Sequence, residues 1–99
     1  MDKYLYVMQL LKSKSYNKMT MEVVRRHVDN IRDLDDAGHL SLCGVYKGNP
    51  GVAGMFILKA ESLEVADALC QREPLVAEGF ATYKLHALEV ANRENNYLL

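Results

Sequence analysis

Tryptophan is absent from this 99-residue chain, cysteine and proline occur only twice each, and the formal net charge is −1. No run approaches the ~18 uninterrupted apolar residues that would cross a bilayer. Each shortage excludes a class. Two cysteines, Cys43 and Cys70, are too few for a disulfide framework and lack metal-ligand spacing, so both read as small buried apolar residues. The lysines and arginines are scattered and no basic run is interleaved with aromatics, which argues against nucleic acid as a partner. The N-terminus, MDKYLYVMQLLKSKS, opens with an acid and has no small-residue cleavage site. A cytoplasmic setting without membrane contact is expected.

What is present is ordinary for a soluble globular protein: 49% hydrophobic and 25% charged residues. The length suits one domain, residues 1–99, with a single core.

The stretch Arg25 to Gly44 organises the rest. Val24, Val28, Ile31 and Leu34 recur at spacings of four, three and three, which predicts a buried helical stripe with Arg25, Asp29, Asp33 and Asp36 in water. Thr20 suits the N-cap, Glu22 complements the helix dipole and Gly38 ends the helix, giving bounds of about Met21 to Ala37. His27 lies three after Val24 and four before Ile31, at the edge of that stripe.

Around this helix the chain alternates. Tyr4 to Leu10 reads as a strand, Lys12 to Lys18 as a mobile polar connection, and Leu40 to Tyr46 as a second strand with Leu40, Leu42 and Gly44 on one side. Gly48-Asn49-Pro50-Gly51 is a turn, and Val52 to Ala60 is a third strand that is apolar on both sides. Ser62 caps a second helix with Ala66, Leu69 and Cys70 as its stripe, Pro74 marks its end or lies just past it, and Gly79 turns the chain into Phe80 to Leu88. Asn92 to Asn96 reads as loop or frayed end. The order is β-α-β-β-α-β, the ferredoxin-like split βαβ plan, an α+β fold with a four-stranded antiparallel sheet. Two helices cover one face of such a sheet. The other, still apolar, predicts a homodimer whose sheets pack face to face as an α+β barrel.

For chemistry, His27 stands out. A histidine at the margin of an apolar stripe serves either as a packed, hydrogen-bonded side chain or as a proton-transfer group, and periodicity leaves both open. His39, behind the helix-ending glycine, and His86, alternating outward with Thr82 and Lys84, read as structural or surface residues. The three histidines have no ligand spacing, so neither a metal nor another cofactor is expected, and no G-x-S-x-G elbow occurs.

His27, the run Asp36-Ala37-Gly38-His39-Leu40, Cys43-Gly44, the segment Ala60 to Leu69, and Glu73-Pro74 with Val76 and Gly79 behind it follow one another in a distinctive order. In that order the chain resembles the YCII-related (YciI-like) family of small dimeric α+β barrel proteins, over roughly residues 25 to 90. The resemblance implies an active-site dyad of His27 and a carboxylate at Glu73, where the family usually has aspartate before the proline. It also implies a pocket bordered by Gly44 and Tyr46, with valine at position 45 where the family usually has proline. Such a dyad suits isomerisation, elimination or hydrolysis on a small ring or lactone-type metabolite. A binding module without catalysis, and a purely structural dimer sealed by His27, are the alternatives.

Overall fold

The computed structural model describes residues 4–99. Four strands, β1 (Tyr4–Lys12), β2 (Leu40–Val45), β3 (Val52–Leu58) and β4 (Ala81–Glu89), form one sheet in the order β2-β3-β1-β4, every pair antiparallel. Helix α1 (Met21–Asp36) joins β1 to β2; α2 (Leu63–Gln71) and a single turn, α3 (Pro74–Ala77), join β3 to β4. This is the expected split βαβ plan.

β1 lies at the centre because both of its faces are apolar. Tyr6, Met8 and Leu10 are buried beneath the helices, and Leu5, Val7 and Leu11 alternate with them on the open face. Register places Phe56 and Leu85 on either side of Met8, with Leu58 beside Tyr6. Ala66, Leu69 and Cys70 of α2 and Leu75 of α3 complete this core.

The local signals act as expected at the helix ends. The hydroxyls of Thr20 and Ser62 accept from the N–H groups of Val23 and Val65, and Gly38 takes a positive φ of 79°. At the hairpin, Asn49 Oδ1 accepts from Gly51 and Val52 N–H, an Asx turn.

Three expectations are corrected. The buried line of α1 is Val23, His27, Ile31 and Leu34: Val23 is 5% exposed and Val28 38%. A change of one position turns a helix by about 100°. Adjacent valines at 23 and 24 fit either face, and a buried partner for His27 decides between them. In β2 the alternation breaks at a bulge: Leu40 pairs with Leu58 but Leu42 with Ile57, so Leu40 and Cys43 both pack on the core while Leu42 is exposed. The segment after β1 is not free. Ser13 N–H donates to Phe80 O, Ser13 Oγ donates to Gly79 O at 2.8 Å, and a 3-10 turn covers Tyr16–Lys18.

The outer ends differ in smaller ways. Pro74 lies just past the end of α2, as expected, but it begins a further turn, α3, where its missing N–H costs nothing. Beyond β4, Asn92 caps a 3-10 stretch, Arg93–Leu98, in which Asn96, Tyr97 and Leu98 have positive φ.

Candidate functional site

Glu73 is 1% exposed and is the buried charged side chain among the described residues. Its position follows from local rules. It is the N-cap of α3, with Pro74 at the first helical position, and its Oε2 accepts from Leu75 N–H at 2.7 Å. The other oxygen, Oε1, faces Nδ1 of His27 on α1. A carboxylate out of water needs such donors. An ion pair between Arg26 and Glu78, just beyond α3, closes at 2.5 Å and ties the same two elements together.

The carboxylate also orders the imidazole. It only accepts, so the proton sits on Nδ1 and the Nε2 lone pair is left to the other side of the ring. His27 lines a cavity of ≈ 80 Å³ between α1 and the sheet. Leu10, Ile31, Phe56 and Leu75 line it together with Tyr16 and with Cys43, Gly44 and Val45 of β2. The Phe56 ring lies 6.1 Å from that of His27, tilted by 51°. Gly54, also in the lining, lets β3 approach β2 closely: a Cβ there would collide with the Gly44 carbonyl and come within 3.0 Å of Val45 Cα.

The cavity is lined by neither lysine nor arginine. Burial, with a smaller effect of Asp35, pushes the Cys43 thiol up, which keeps it protonated and poorly nucleophilic. Cys70 lies in the core, where burial pushes its thiol up to about 12. Among the described residues no group of three or more His, Cys, Asp or Glu side chains could hold a metal ion, and no helix is long and apolar enough to cross a membrane.

His27 and Glu73, 46 positions apart, are therefore brought together, and Gly44 borders the same cavity. Tyr46 does not line it. Its hydroxyl donates to Met55 Sδ at 3.1 Å, beside a recess shared with Leu42. His39 is a clip, its Nδ1–H donating to Lys59 O at 2.9 Å, and His86 is exposed on the open face opposite Val7. Tyr16 was hidden from sequence reasoning by its polar surroundings, Ser13 to Lys18. An aromatic residue in so polar a stretch was the available signal.

No family model matches the chain, and no curated protein sequence matches it. Among solved structures it is similar to 5-chloro-2-hydroxyhydroquinone dehydrochlorinase (TftG) from Burkholderia phenoliruptrix AC1100, in complex with 2,5-dihydroxybenzoquinone. The TM-score is 0.73 at 12% identity, over 93% of this chain and 99% of that one, a likeness that shows the α+β fold.

Proposed function

We propose that the protein is a small enzyme in which His27 Nε2 serves as general base and acid, oriented by Glu73, on a small ring metabolite. The observation that carries this reading is the buried Glu73 carboxylate aimed at Nδ1 of a histidine that lines an apolar cavity. A solvated carboxylate beside a proline would need no such burial. Of the reactions open to a histidine base, elimination is favoured, because the protein of similar fold is a dehydrochlorinase. In that step Nε2 takes a proton from the ring, the freed electron pair forms a new double bond, and the leaving group departs with its own pair. Glu73 stabilises the imidazolium until the proton passes to water.

The reading includes membership of the YCII-related family, on the order of motifs from His27 to Gly79, and a homodimer through the open sheet face. Leu5, Val7, Leu11, Met55 and Ile57 line that face while the helices lie on the other. A cytoplasmic setting completes it.

The test is His27→Asn, whose amide nitrogen can stand where Nδ1 stood and keep the bond to Glu73 while the base is lost. Assayed on chlorinated hydroquinones, the variant should fold as the wild type does and lose ~10²–10⁴-fold in kcat. Unchanged turnover would end the enzyme reading.

A further inference from the structure

Tyr16 shares the His27 cavity, and among the described residues its hydroxyl has no hydrogen-bond partner. Its position is well determined. Tyr16 N–H donates to Ser13 O at 3.1 Å, and Ser13 is bonded through both N–H and Oγ to the turn Gly79–Phe80, directly behind the short helix that Glu73 caps. The Lys12 ammonium, held by Asn49 O at 2.9 Å, lies 5.2 Å above the Tyr16 ring. The ring is thus fixed from its backbone and from one face.

The polar side chains among the lining residues are few: the His27 imidazole, the Tyr16 hydroxyl and the weakly polar Cys43 thiol. A carboxylate or phosphate would find no cation in the lining, and transferring it there would cost far more than transferring a neutral group. A flat ring meets Phe56, Leu10 and Leu75. A ring hydroxyl that donates to Nε2 and accepts from Tyr16 would satisfy both.

We propose that Tyr16 is the specificity-determining residue of this site, selecting uncharged, oxygen-bearing rings by donating its hydroxyl hydrogen to a ring oxygen. This rests on the reading of His27 and Glu73 given above, and deepens it by naming the substrate class. Tyr16 reads the ligand and takes no proton from the reacting atom.

Phenol, toluene and benzoate, titrated into the protein and followed by the NMR shifts of the His27 ring, test it. Phenol should bind more tightly than toluene or benzoate. Tyr16→Phe, which keeps the ring and its lysine contact, should weaken phenol roughly 2–10-fold and leave toluene unchanged. His27→Asn, followed by the shifts of the Phe56 ring, should also weaken phenol. If Tyr16→Phe binds phenol as the wild type does while His27→Asn binds it less well, the role of Tyr16 is overturned and the site reading stands. If phenol moves neither ring, both fail. Benzoate binding as tightly as phenol would overturn the substrate class without any variant.

Discussion

Nδ1 of His27 and Oε1 of Glu73 meet across 46 positions of sequence, one on the inner face of α1, the other at the cap of α3. The pair joins two elements that the Arg26–Glu78 ion pair also ties, and it gives a buried carboxylate one of its two donors.

Loss of that carboxylate should be felt as lost stability. Glu73→Ala removes a cap and leaves the imidazole Nδ1–H without its acceptor, at a combined cost of roughly 2–4 kcal/mol. Glu73→Gln keeps one acceptor of the two and should lose less. Urea unfolding of the three proteins measures the order, and equal stabilities would mean that Glu73 is solvated in solution.

A second, partly exposed hydrogen bond predicts an alkaline limit. Tyr83 OH donates to Asp67 Oδ1 at 2.5 Å, and this bond, aided by burial, pushes the phenol from 10.0 up to about 12. The neutral phenol makes the bond, and its folded value lies above the ordinary one. The stabilisation is therefore complete below pH 10 and disappears as pH rises through about 12. Tyr83→Phe should be less stable than the wild type by about 1 kcal/mol at pH 8, with the gap closing toward pH 12. Thermal unfolding across that range checks it; a gap that stays constant would show that the bond does not titrate.

Two glycines on neighbouring strands should behave differently. A Cβ at Gly54 meets the backbone of Gly44 and Val45, which cannot move aside as a flexible side chain would, so Gly54→Ala should cost roughly 1–3 kcal/mol. A Cβ at Gly44 has nothing within 4 Å, and Gly44→Ala should stay within about 0.5 kcal/mol of the wild type. Denaturation midpoints decide. Equal losses at both positions would indicate a general intolerance of the β2–β3 ladder.

The open sheet face predicts the assembly. Val7 lies at its centre, paired with Ile57 on one side and His86 on the other. Light scattering should give twice the 11.2 kDa chain mass for the wild type and one chain mass for Val7→Asp, because a carboxylate would have to leave water for the apolar space between two sheets. A wild-type monomer at micromolar concentration would exclude the dimer.

Local chemistry was enough for the order of elements, the caps at Thr20 and Ser62, the turn glycines 38 and 79, and the stripe Ala66-Leu69-Cys70, because each depends on residues within a few positions of one another. Tertiary contacts decided the rest. Valines at 23 and 24 fit two faces of α1, and the choice came from Glu73, far along the chain. The bulge between Leu40 and Leu42 reflects pairing with β3, which no alternation within β2 encodes. Ser13 and Tyr16 lie in a polar segment whose order comes from the turn at Gly79. A chain position specifies residue type and neighbours in sequence. Which side chains share a cavity depends on how the helices settle on the sheet, and that is set by the packing of the whole core.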